Sequence, residues 1–317
     1  MSEPTVRIQK IKKDTVKTRL IVFGTLAVIL LVCSVFCEHL TPYDPYVQDL
    51  SNAKAPPSAE HLFGTDRYGR DMLSRVIAGS RTSIYSTILL VAIVTVFGTC
   101  VGVFCGWHGG WIDTVLMRIS DMFLAFPGLV FALAVAGVLG GGLQNAIIAL
   151  AAISWPKYAR IARSQTLSQK ETSWLKAAKL SGSGTGKMIF KHILPNIIGP
   201  ILVTSMLDIG TMMMELAGLS FLGLGAKPPT AEWGSMMSDT RSLLATHPWV
   251  TLSPGFAIFI SVMIFNLLGD TIRDYADPKT ACHPERKGFP GMAHPVRDSS
   301  LCSAWQTDNT PGGHNGG

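Results

Sequence analysis

The feature that most constrains this chain is a set of long stretches without a charged side chain. Residues 20–37, 83–107 and 250–269 carry none, and residues 119–159 carry only Asp121 and Lys157. About 20 residues of apolar helix cross the hydrocarbon of a bilayer, so such runs point to membrane spans. Backbone amides facing lipid must bond within their own segment, which restricts these runs to helices. Charged residues make up 15% of the chain, against about 25% in a soluble domain. The expected fold is all-α, a polytopic membrane protein. Six transmembrane helices are expected, near residues 20–38, 83–107, 114–139, 144–163, 197–224 and 250–270. A basic stretch precedes the first, but its end, Cys33-Ser34-Val35-Phe36-Cys37-Glu38, is a poor small-residue cleavage site, so that helix is expected to be retained.

Lysine and arginine in short loops set orientation. Arg7, Lys10, Lys12, Lys13, Lys17 and Arg19 precede the first span. Arg163, Lys170, Lys176, Lys179, Lys187 and Lys191 follow the fourth, against the single acid Glu171. Both segments are therefore expected in the cytoplasm, as are the two termini, with residues 38–82 and 226–249 outside. The net charge of +6 then reflects topology, and nucleic acid is not an expected partner. The chain divides into a cytoplasmic segment 1–19, a first transmembrane helix with an external segment over 20–82, a core of five transmembrane helices over 83–279, and a tail 280–317. That tail is rich in Pro, Gly, Ser, Asp and His and reads as disordered. Cys33 and Cys37 share a helix face without paired histidines and read as apolar packing, and no metal site is expected. His39, His192 and His247 likewise have no partner at metal-ligand spacing.

One stretch, LSGSGTGKM at 180–188, looks like half of a phosphate-binding loop. The pattern G-x-x-x-x-G-K-[ST] fails at two places, where Ser181 replaces the first glycine and Met188 the magnesium-binding hydroxyl. A buried strand should precede such a loop, and residues 169–178 are polar and helix-like. The stretch reads instead as a turn between a short helix, 173–180, and a second helix from about Lys187 that enters the membrane near Pro195. Gly182, Gly184 and Gly186 supply the turn. A loop of this length, too long for a connection and too short for a domain, presents itself to another protein.

Lys176-Ala177-Ala178, Gly182 and His192-Ile193-Leu194-Pro195-Asn196 resemble the EAA loop of binding-protein-dependent ABC importer permeases. Lys176 stands where the family has glutamate. Three further motifs resemble the C-type subunits of dipeptide, oligopeptide and nickel importers. These are Gly64-Thr65-Asp66-Arg67-Tyr68-Gly69-Arg70-Asp71-Met72-Leu73-Ser74-Arg75, the stretch 219–234 (LSFLGLGAKPPTAEWG), and Phe265-Asn266-Leu267-Leu268-Gly269-Asp270 with Arg273-Asp274 and Asp277-Pro278. The resemblance covers about residues 15–279. It implies a coupling helix between the fourth and fifth spans that docks on an ATPase subunit, carried by Lys176, Ala177, Ala178, Gly182, His192, Leu194 and Pro195. It also implies a second homologous permease chain, two ATPase subunits that hold ATP and magnesium, and an extracytoplasmic substrate-binding protein. The chain itself would bind no cofactor, catalyse nothing, and lie in the inner cell membrane among lipid.

The residues support independent expectations. Gly64, Asp66, Arg70 and Asp71 lie just outside the second span, where a charge network would fix the start of the helix more readily than it would contact cargo. Gly223, Gly225, Pro228 and Pro229 end the fifth helix, and Pro127-Gly128 should kink the third. Ionisable residues within spans are costly and suggest function. Asp121 is expected to pair with Arg118 three residues earlier. Asp208 and Glu215, seven apart, share a face. Glu215 either gives the transport path a negative point for cationic cargo or is satisfied by hydroxyls of a neighbouring helix. An ion-coupled secondary transporter or channel would need coupling sites or an internal repeat, and an intramembrane protease would need paired catalytic groups. Neither pattern is clear in the sequence.

Overall fold

The computed structural model describes residues 3–276, with side chains placed from residue 16 onward. The tail 280–317 and the motif residues Asp277-Pro278 lie outside the described residues. Those described form helices, with one isolated β-bridge between Thr65 and Asp71. The main helices are α1 (Glu3–Val35), α2 (Met72–His108), α3 (Gly110–Leu124), α4 (Gly128–Val138) and α5 (Leu143–Lys170), followed by α6 (Ser173–Leu180), α7 (Leu194–Leu219), α8 (Trp233–Thr240) and α9 (Pro248–Ala276).

Four helical segments are long and apolar enough to cross a membrane: Val16–Val35 within α1, Met72–His108, Thr185–Leu224 through α7, and Pro248–Ala276. A fifth is added if α3 and α4 cross as one broken span; they meet at 92°. The kink expected at Pro127-Gly128 is thus a sharp break. Pro127 has no N–H to continue the ladder, and its ψ of 115° leaves the helical region. Helix α5, expected as the fourth span, is long but more polar. Its Lys157, Arg160 and Arg163 pair with acids on neighbouring helices, the usual condition for such groups inside a bundle.

The second helix also begins earlier than the apolar run suggests, at Met72. Asp71 accepts from the Ser74 backbone N–H at 2.8 Å and from its hydroxyl at 2.7 Å. This caps the first turn and lets the helix begin among polar residues.

The core is built on close helix approach. Helix α2 packs most extensively on α5, and α9 on α7 and α1. Gly98, Gly102 and Gly106 recur every four residues along one face of α2. A side chain on Gly102 would lie 2.2 Å from the Ala159 carbonyl oxygen, and one on Gly98 2.6 Å from the Trp155 carbonyl oxygen. Small residues at this spacing let two membrane helices touch backbone to backbone. At the far end of α2, Lys170 Nζ donates to the Trp107 carbonyl at 2.8 Å. That contact satisfies a C-terminal carbonyl that no helical amide reaches.

Candidate functional site

A cavity of about 190 Å³ lies among α3, α4, α5 and α7. Its wall includes Ser154 and Lys157 from α5, and Asp208, Thr211 and Glu215 from α7. Lys157 Nζ donates to both Asp208 oxygens, at 2.6 and 2.9 Å, and the Tyr158 hydroxyl donates to Oδ2 at 2.9 Å. Asp208 is buried, whereas the Lys157 side chain is half-exposed. Glu215 lines the same space and makes no hydrogen bond or ion pair with any described residue. The two carboxylates expected on one face therefore do share a cavity, but only Asp208 has a partner. The expected pair Arg118–Asp121 is replaced by Arg160–Asp121 across to α5. The reason is reach: the α5 register sets Arg160 opposite Asp121, and sequence spacing sees only Asp121's own helix.

At the end of the bundle carrying residues 38–71, the charge cluster is buried. Asp66 accepts from Arg70 Nε at 2.6 Å and from the backbone N–H groups of Tyr68 and Arg70 at 2.8 and 3.0 Å. Arg75 lies 3.8 Å from the same carboxylate and donates to the Pro45 carbonyl at 3.0 Å. His61 Nδ1 sits 3.0 Å from Asp71. Gly64 has φ of +69°, and a side chain there would meet the Ala55 carbonyl and the Trp249 ring. These residues tie an extended segment to the start of α2.

The segment after α5 has the opposite character. Helix α6 is followed by Gly182 with φ of +78°, a short helix Thr185–Met188, a π-helical turn Ile189–Ile193, and then α7, which opens on Leu194-Pro195. Leu175, Met188 and Ile193 are buried anchors. Leu180 and Phe190 are 89% and 72% exposed. Lys176 reaches Glu171 at 2.9 Å in solvent, and the Trp174 and His192 rings lie 5.7 Å apart. Ala177 and Ala178 lie within α6. A helix, not a strand, precedes Lys187, so the phosphate-loop geometry is absent here.

Three structural groups escaped the sequence reading. Glu232 is 1% exposed and caps α8 by accepting from the Gly234 and Ser235 N–H groups at 2.9 and 2.8 Å. Trp233 Nε1 donates to the Val76 carbonyl at 2.9 Å, fastening α8 to α2. Arg163 holds Asp113 through two bonds, Nε at 2.5 Å and Nη2 at 2.6 Å. The acid immediately before Trp233-Gly234-Ser235 was a legible cap signal, and the spacing of Gly98, Gly102 and Gly106 a legible packing signal. Nothing local announces Arg163–Asp113.

A bundle of long apolar helices, one of them broken, with paired charges inside and an amphipathic loop at one end, defines a multi-pass membrane protein. The sequence profile of the family described as "Binding-protein-dependent transport system inner membrane component" matches residues 98–281. The chain is 41% identical over 268 residues to the dipeptide transport system permease protein DppC of Alkalihalophilus pseudofirmus, covering 84% of this chain and 88% of the relative. It is 42% identical over 264 residues to the nickel transport system permease protein NikC of Escherichia coli K12, covering 83% and 94%. It is 38% identical over 257 residues to the glutathione transport system permease protein GsiD of Pectobacterium atrosepticum, covering 81% and 85%. A solved inward-facing structure of the MetNI methionine ABC transporter shares the fold, with a TM-score of 0.52 at 20% identity over 65% of this chain and 98% of that one. The chain belongs to the binding-protein-dependent inner-membrane transport family and is an ABC transporter permease subunit. The ion-coupled alternative is not favoured.

Proposed function

We propose that this chain forms half of the transmembrane path of an importer for peptides or nickel chelates, paired with a second, homologous permease. Two ATPase subunits carry ATP and magnesium on the cytoplasmic side, and an external binding protein delivers the cargo. The chain crosses the membrane six times, with α5 as one span and the broken pair α3–α4 as another, and both termini are cytoplasmic. Segment 173–195 is the coupling element, and Lys176, Ala177, Ala178, Gly182, His192, Leu194 and Pro195 belong to its docking surface. Asp208 and Glu215 belong to the cargo path. Gly64, Asp66, Arg70 and Asp71 fix the external segment and contact no cargo. The chain itself catalyses nothing and binds no cofactor.

The observation that carries this reading is the pairing of a charge-lined cavity inside the bundle with a segment at one end whose apolar side chains, Leu180 at the end of α6 and Phe190 in the π-helical turn, are exposed. The first supplies a place for polar cargo and the second a surface that another protein would cover. Movement of the coupling helices on ATP binding would rock the bundle between inward- and outward-open states. The test is uptake by liposomes containing the purified assembly and its binding protein. Uptake should require ATP on the ATPase side and ignore imposed proton or sodium gradients. Gradient-driven uptake without ATP would overturn the proposal.

A further inference from the structure

The cavity holds one cation, Lys157, and two anions, Asp208 and Glu215. Asp208 is occupied: both its oxygens accept from Lys157, and the Tyr158 hydroxyl adds a third bond. The pair is neutral in sum, and its carboxylate is already fully engaged. Glu215 stands on the same helix, seven residues and about two turns away, and no described residue bonds to it. An unpaired carboxylate inside a bundle costs free energy that a cationic donor would recover. The rest of the wall supplies two hydroxyls, Ser154 and Thr211, and apolar surface from Ile153 and Met212. The space, about 190 Å³, is many times the minimum that a single water needs.

We propose that Glu215 is the cargo contact of this cavity, and that it receives the protonated primary amino group of a peptide-like cargo. Lys157 and Asp208 are positioning residues that cancel each other's charge and leave one negative charge for the visitor. A few convergent polar groups on an apolar wall are the usual form of a small-molecule site. The ammonium donates to the Glu215 oxygens, a short side chain lies against Met212 and Ile153, and the hydroxyls of Ser154 and Thr211 take up the remaining polar contacts. This inference rests on the proposed role of the cavity in the cargo path.

The test uses the purified assembly in detergent, without its binding protein, so that delivery does not mask selectivity. Equilibrium dialysis with radiolabelled alanyl-alanine and with N-acetyl-alanyl-alanine compares the free amine with a neutral, slightly larger derivative, and the Glu215→Gln variant separates the charge from the size. The free-amine form should bind about tenfold tighter, the factor expected of one charge-assisted hydrogen bond. Glu215→Gln should abolish that preference, and Glu215→Asp, which keeps the charge, should retain part of it. Equal binding of the two probes in the wild type, or a preference surviving in Glu215→Gln, would overturn the inference. ATP-driven uptake of alanyl-alanine by the reconstituted wild type separates the two levels. If uptake occurs without a binding preference, only the inference falls. If the assembly moves a nickel(II) chelate and no dipeptide, the peptide reading falls and the inference with it.

Discussion

The two ends of the bundle spend their polar residues in opposite ways. Within residues 61–75 and 232–235 every charged group but the exposed Arg67 is buried and saturated: Asp66, Arg70, Asp71, Arg75 and Glu232 are all at most 5% exposed, and each has hydrogen-bond or ion-pair partners. Residues 171–193 leave their charges in solvent and, although Leu175, Met188 and Ile193 are anchored, leave Leu180 and Phe190 uncovered. Buried, satisfied charge fixes geometry and has no capacity left for a ligand. Leu180 and Phe190 are exposed beside lysines with a single weak partner. The first end is architecture, and the second is the surface proposed here to take a partner.

The largest expected effect lies at the saturated end. Asp66→Ala leaves the Arg70 guanidinium buried beside an empty site, and breaking a buried pair costs about 3–5 kcal/mol. Thermal unfolding of the detergent-purified chain should show a marked loss of stability. Next is Gly69→Ala. Gly69 has φ of +73°, and a side chain there would overlap the Asp49 carbonyl at 1.6 Å. A cost of about 1–3 kcal/mol, read by the same assay, should accompany proteolytic sensitivity of residues 45–70. Third, Glu232→Ala removes the cap of α8, for about 1–2 kcal/mol. If these three substitutions were harmless, the contrast between the ends would fail.

The smallest effect is expected at the open end. Lys176→Gln removes an exposed pair, and such pairs contribute little, so the melting temperature should not move. The hydrogen bond from Lys176 holds the Glu171 carboxyl below its ordinary value of 4.5. A carboxylate with a depressed pKa stabilises the fold above its unfolded value and loses that contribution only as pH falls through the lower folded value. No pH dependence from this pair is therefore expected between pH 6 and 8. NMR titration of the Glu171 carboxyl should show its pKa rising toward 4.5 in Lys176→Gln.

The contrast between the ends was only partly legible in the sequence. Uncharged runs locate the apolar helices because desolvation of the backbone is a local, additive constraint. Pro127-Gly128 marks the position of the break, but its angle of 92° depends on what α3 and α4 pack against. Helix α2 starts eleven residues before the apolar run, because Asp71 and Ser74 cap it and hydropathy does not register caps. The partners of charged residues were the least legible. Asp121 finds Arg160, Asp113 finds Arg163, and Asp208 finds Lys157, each across to α5. That register is set by the contact of Gly98, Gly102 and Gly106 with α5, a tertiary fact that spacing within one helix cannot supply.

In the function proposed here, segment 173–195 is where the ATPases dock. Affinity capture of this chain from native membranes, read by quantitative mass spectrometry, tests it against the double variant Leu180→Asp, Phe190→Asp. These two side chains are exposed, so the variant should fold and insert normally. The account predicts that the wild type recovers two ATPase chains and a second permease, and that the variant keeps the permease but loses most of the ATPase. Undiminished ATPase recovery with the variant would contradict it.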